Sequence, residues 1–131
     1  MQRKILTEHG ECHASIKTES EIESIRQELE SMQWLPQTLR WLEAVKDPTR
    51  FQIVLLLYSY EQFCVCDLAN ILGISSSAVS QHLRKLRDME IVSSSRVKQT
   101  IFYRLQSEPF AAFFKDLIPE EFKPEALEAC A

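Results

Sequence analysis

Residues 66–89 read CDLANILGISSSAVSQHLRKLRDM, and the punctuation of that stretch decides the fold. A short helix runs from about Cys66 to Leu72 and stops at Gly73, which lacks a Cβ and so tolerates the left-handed conformation of a C-cap. Ser75 or Ser76 then caps a second helix that continues to about Met89, because a short hydroxyl side chain accepts the unpaired N–H groups at a helix start. Helix, tight glycine turn, helix is the helix-turn-helix arrangement. At 100° per residue, Val79, Leu83 and Leu86 of the second helix fall on one side and face the core. Ser77, Gln81 and Arg84 lie opposite, flanked by Ser76, Ser80, Lys85 and Arg87. Short hydroxyls near the helix start suit phosphate oxygens, and Gln and Arg form paired hydrogen bonds with adenine and guanine edges. Ser75, Ser76, Ser77, Ser80, Gln81, Arg84, Lys85 and Arg87 are therefore the expected contacts to double-stranded DNA. His82 falls beside Val79 and Leu86 and reads as a packed histidine.

Working outward, Ile91–Leu105 changes period. Val92 and then Ile101, Tyr103 and Leu105 alternate, with β-branched and aromatic residues enriched, which predicts a two-stranded hairpin with its tip near Val97-Lys98-Gln99. Its basic residues Arg96 and Lys98 extend the DNA face. From Glu108 a last helix carries Phe110, Phe113, Phe114, Leu117 and Ile118 and breaks at Pro119. Upstream, Asp47-Pro48 is a helix start, with Asp as N-cap and Pro at the first helical position. The helix that follows, through about Tyr58, is apolar nearly all round and should be the central core helix. Before it, Thr18 or Ser20 caps a helix with Ile22, Ile25, Leu29 and Met32 on one stripe. Pro36 interrupts that pattern, and Leu39, Leu42 and Val45 continue it as a second segment. Residues 1–17 lack apolar periodicity and read as a flexible arm ahead of one folded domain over 18–131. The expected class is mainly α with a small β-hairpin, a winged helix-turn-helix.

Composition bounds the function. A chain of 131 residues buries about two-thirds of its unfolded surface and needs no cross-links to hold a core. Apolar residues at 45% and charged residues at 26% are ordinary soluble values, and the longest apolar run, Ile53 to Tyr58, is far short of a bilayer span. No membrane partner is expected. Arg3 and Lys4 lead into Thr7, Glu8 and His9 rather than an apolar stretch, so no secretory signal is readable and the expected location is cytoplasmic. The net charge of −4 argues against nucleic acid only as an average. Residues 75–104 hold six basic groups (Arg84, Lys85, Arg87, Arg96, Lys98, Arg104) against Asp88 and Glu90, a local +4. Attraction between partners depends on charges within a Debye length, so this local field is what a phosphate would meet.

Four cysteines in a reducing compartment point to metal or redox chemistry before structural disulfides. Cys64-x-Cys66 sits where an extended segment turns into a helix. There two sulfurs can converge, and the helix N-terminus favours the thiolate, the form that binds metal. Two thiolates do not fill a tetrahedral site. His9, Cys12 and His13 in the arm are candidate further ligands. Cys130, one residue from the end, reads as a spare thiol. An enzyme is not expected: Cys-x-Cys is not the redox Cys-x-x-Cys spacing, and no histidine is placed in sequence as a base.

The segments Phe63-Cys-Val-Cys-Asp-Leu-Ala, Leu72-Gly-Ile-Ser, Val79-Ser-Gln-His-Leu-Arg-Lys-Leu and Asp47-Pro-Thr-Arg together closely resemble the ArsR/SmtB family of metal-responsive repressors, over about residues 38–106. The resemblance implies a homodimer joined through the first and last helices, whose apolar stripes are available for it. It also implies operator binding when metal-free and release on metal binding. Most similar is the cadmium/lead-sensing (CadC-like) branch, in which the Cys-x-Cys pair is completed by arm cysteines of the other subunit. Here Cys12 matches in kind, and a histidine must serve as the other arm ligand, giving Cys64, Cys66, Cys12 and His13, with His9 as the alternative to His13. That set admits cadmium, lead or zinc as effector. The family's other metal site, across the last helices, would fall on Ser107, Pro109, Glu120 and Lys123 and is missing. Arsenite sensing and a thiol/disulfide redox switch are the alternatives. At the wing tip Val97-Lys98-Gln99 stands where the family often has glycine, leaving the turn type open.

Overall fold

The computed structural model describes residues 16–122 together with the backbone of two short strands before them. His9, Cys12, His13, Lys123 and Cys130 lie outside the described residues. In chain order, β1 (Leu6–Thr7) and β2 (Gly10–Glu11) form a two-residue antiparallel ladder. They are followed by α1 (Glu19–Glu30), α2 (Trp34–Val45), α3 (Pro48–Ser59), β3 (Phe63–Cys64) and α4 (Val65–Leu72). Next come α5 (Ser76–Asp88), β4 (Val92–Val97), β5 (Thr100–Leu105), α6 (Glu108–Leu117) and a 3-10 turn at Glu120–Phe122. The chain divides into two compact units, Met1–Leu39 and Arg40–Ala131.

In the first unit, Thr18 is the N-cap of α1. Its Oγ1 accepts the Glu21 N–H at 3.1 Å while the Glu21 carboxylate accepts the Thr18 N–H at 2.8 Å, a reciprocal capping box. No residue of α1 is buried, and Ile25, Leu29 and Met32 of its stripe stand exposed. The break expected at Pro36 falls earlier. Ser31 N–H closes α1 on the Gln27 and Glu28 carbonyls, and α2 restarts at Trp34. Pro36 therefore lies in the first turn of α2, where a missing N–H removes no helical bond.

The second unit holds the core. Asp47 caps α3 through a 2.9 Å bond from the Arg50 N–H, and Pro48 opens it, as the sequence predicts. The Arg50 Nε–H reaches back 2.7 Å to the Ala44 carbonyl, satisfying an orphan acceptor at the end of α2. The Arg50 amide holds the Asp47 carboxyl below the usual carboxylate range; partial burial opposes this, and the charges of Arg50 and His82 and the Thr49 amide assist it. Ile53, Val54 and Leu57 of α3 pack with Leu68 of α4, Val79, Leu83 and Leu86 of α5, and Ile91 and Val92 beyond it.

Gly73 ends α4 in the left-handed region at φ +67°, with its own N–H and that of Ile74 donating to the Ala69 carbonyl. Ser75 caps α5. At its far end Ile91 N–H bonds the Leu86 carbonyl and Glu90 N–H the Arg87 carbonyl, a Schellman motif with Glu90 rather than glycine at φ +61°. The Glu90 carbonyl accepts from the Gln106 side chain at 3.1 Å.

Two expectations need correction. The hairpin is part of a three-stranded sheet in the order β3-β5-β4, with Phe63 opposite Tyr103 and Cys64 opposite Phe102. A two-residue strand is too short to show a period, so only the long-range pairing reveals it. The aromatic stripe of α6 is largely taken up by this chain's own core. Phe110 and Phe114 are fully buried in this chain's own core, where Phe114 meets Phe51 at 5.0 Å and Phe110 meets Trp41 at 5.7 Å between ring centroids. Leu117 alone of the stripe remains exposed.

Candidate nucleic-acid interface and thiol pair

The candidate recognition surface is built by α5 and the β4–β5 wing. Burying Val79, Leu83 and Leu86 completely forces the remaining arc of α5 outward, so Ser76, Ser77, Ser80, Gln81, Arg84, Lys85 and Arg87 are all exposed. Ser75 is exposed too, its hydroxyl occupied as N-cap by the Ala78 N–H at 3.1 Å. His82 is half-buried at the edge of the core, close enough to Asp47 for its charge to act on that carboxyl.

In the wing, Val97 pairs with Thr100, leaving a two-residue turn of Lys98-Gln99. Lys98 takes φ +59° and Gln99 does not take a positive φ, the pattern of a type II′ turn, in which glycine is usual at that first position. A lysine there costs conformational strain and places a cation at the tip, where Arg96 is also exposed. Because opposed residues share a sheet face, Val92, Ser94 and Arg96 lie on the same face as Leu105, Tyr103 and Ile101. That face is anchored by buried Val92 and by Tyr103 and Leu105 packed on the core.

One residue escaped the sequence reading. Tyr103, together with Ser80, Arg84 and Arg87, lines a partly open recess of about 260 Å³ between α5 and β5. Strand alternation grouped Tyr103 with Ile101 and Leu105, but its meeting with a stripe of α5 depends on tertiary packing alone.

The thiol pair sits one helix upstream. Cys64 ends β3 and is the N-cap of α4 in extended conformation, half-buried; Cys66 is in the first turn and exposed. The helix begins at Val65, one residue before the expected start, so both thiols flank its positive end. Both are free thiols. Among the described residues no three His, Cys, Asp or Glu side chains converge to hold a metal ion. Two thiols at a helix N-terminus are half of a soft tetrahedral donor set.

Residues 47–94 match the family described as bacterial regulatory protein, arsR family. The chain is similar to the transcriptional repressor SmtB homolog of Synechocystis sp., 31% identical over 94 residues that cover 72% of this chain and 70% of that one. The cadmium resistance transcriptional regulatory protein CadC homolog of Staphylococcus aureus is 35% identical over 66 residues, 50% of this chain and 54% of its own length, so the chain spans about half of that relative. Among solved structures, reduced HlyU from Vibrio cholerae superposes with a TM-score of 0.62 at 33% identity, covering 70% of this chain and 93% of that one.

Proposed function

The chain belongs to the ArsR family of bacterial transcriptional regulators, whose winged-helix fold it shares and whose members here are DNA-binding proteins rather than enzymes, and from that premise we propose that it is a metal-responsive repressor. In this reading it binds operator DNA as a homodimer when metal-free and leaves it on binding cadmium, lead or zinc. Residues 1–17 serve as a ligand-bearing arm and residues 18–131 as the DNA-binding and dimerisation domain. No helix among the described residues is long and apolar enough to cross a membrane.

The observation that carries the reading is the placement of Cys64 and Cys66 at the start of α4, the helix joined through Gly73 to the recognition helix α5. Any force that shifts the start of α4 is transmitted through a short turn and a shared core to α5. Cys12 and His13 from the partner's arm complete the donor set, with His9 as the alternative, and a bound thiophilic ion supplies the link between arm and α4. The exposed apolar stripe of α1 is the surface offered to the second copy. Coupling is reciprocal, so operator DNA weakens metal affinity by the same factor by which metal weakens DNA affinity.

The test is a titration of a duplex selected by the metal-free chain from a randomised pool, with and without Zn(II), Cd(II) or Pb(II). Metal should lower affinity at least tenfold for the wild type, and Cys64→Ser should bind the duplex normally yet fail to release it. Equal affinities throughout, or wild-type release by Cys64→Ser, would sink the site assignment. The exposed Cys66 thiol supports a second reading, a redox switch, and the similar HlyU structure is of the reduced protein. Peroxide treatment without metal discriminates: a redox switch must yield a defined crosslink at Cys64 or Cys66 by mass spectrometry.

A further inference from the structure

We propose that the recess between α5 and β5 holds one DNA backbone phosphate, clamped by Arg84, Arg87 and Tyr103, so that Arg84 sets the position of the protein on the duplex and does not read a base. This rests on the DNA-binding reading above and assigns roles within it. Ser80, Arg84 and Arg87 recur at four- and three-residue spacing and form one stripe of α5, rotated roughly 70° from the stripe of Ser77 and Gln81. Tyr103 closes the recess from β5, its ring packed on the core. Among the described residues none of these four side chains makes a hydrogen bond or an ion pair.

Two guanidiniums lining one recess repel each other, and an anion between them relieves that repulsion. A tetrahedral oxyanion offers several acceptors to two guanidiniums and two hydroxyls, whereas a guanine edge accepts one guanidinium. The recess, at about 260 Å³, has room for the anion with water around it. Arg84 and Arg87 also lie in the C-terminal half of α5, while a recognition helix touches base edges with its N-terminal residues. Ser77 and Gln81 are left for the bases.

Fluorescence anisotropy on the pool-selected duplex and on a scrambled duplex, across a salt series, tests the assignment. Tyr103→Phe, which keeps the ring packing, should weaken both duplexes by the same factor, about tenfold for each subunit bound, the worth of a hydrogen bond to a charged acceptor. Replacing both Arg84 and Arg87 with Ala should weaken both duplexes equally and flatten the slope of log K against log salt by about 1.8, one phosphate at ~0.9 for each subunit of the dimer. Gln81→Ala should instead lose affinity for the selected duplex alone. Loss confined to the selected duplex in the arginine or tyrosine variants, an unchanged slope, or a slope change near ~3.6, two phosphates per subunit, overturns the shared clamp. Inorganic phosphate at constant ionic strength should leave wild-type affinity unchanged. Displacement of the duplex by phosphate from the wild type but not from the double-arginine variant reassigns the recess to a free anion. A chain that binds no duplex at all overturns the DNA reading itself, and one that binds but fails these comparisons overturns only this assignment.

Discussion

Gly73 joins the two helices of the helix-turn-helix, and its replacement separates steric from conformational cost. A Cβ built at Gly73 meets no atom within 4 Å, so alanine there creates no clash and removes no packing. What remains is the backbone. At φ +67° a residue with a Cβ is disfavoured by roughly 1–2 kcal/mol relative to glycine. Alanine also narrows the unfolded ensemble, which offsets about 0.5 kcal/mol. Gly73→Ala should therefore cost about 1 kcal/mol, a melting temperature lower by roughly 3–5 °C. Gly73→Asn should cost less, because its short polar side chain tolerates the left-handed region. Urea unfolding at one fixed protein concentration measures both, since self-association would otherwise add a concentration term. DNA affinity well below the melting temperature should not change, because the turn keeps its geometry. A loss above about 3 kcal/mol, or equal losses for Ala and Asn, would refute the purely conformational account and place a packing role at this turn.

Two further outcomes follow from the core. Asp47→Ala should destabilise by about 1 kcal/mol at neutral pH through loss of the α3 cap. Since the folded carboxyl is held below its unfolded value near ~3.9, the advantage of wild type over Asp47→Asn should be complete above that pH and vanish as pH falls through the lower folded value, which thermal melts across pH will show. Phe114→Ala should cost about 3–5 kcal/mol, because the ring is fully buried among Phe51, Tyr58 and Phe110, all within 6 Å between centroids. That loss should be the same at low and high protein concentration; dependence on concentration would mean the ring serves an interface instead.

Local chemistry made much of the molecule legible in one dimension. Helix starts were readable wherever a side chain competes for orphan N–H groups, as at Thr18, Asp47 and Ser75, and the stop at Gly73 was readable because only glycine is at ease there. The inward face of α5 followed from helical angle, since burial of Val79, Leu83 and Leu86 obeys the same periodicity that orders the sequence. Glu90 and Lys98 carried no such mark: each occupies a glycine-like conformation that the surrounding bonds impose on it.

The order and type of the helices, the wing, and the outward residues of α5 were readable from the chain alone, because these depend on neighbours within a few positions. Tertiary structure alone decided that Phe63-Cys64 becomes a strand beside β5, that the α6 aromatics belong to this chain's own core, and that Tyr103 meets Arg84 and Arg87 in one recess. Those are contacts between residues far apart in the chain, and no local period encodes which distant surface a side chain will find.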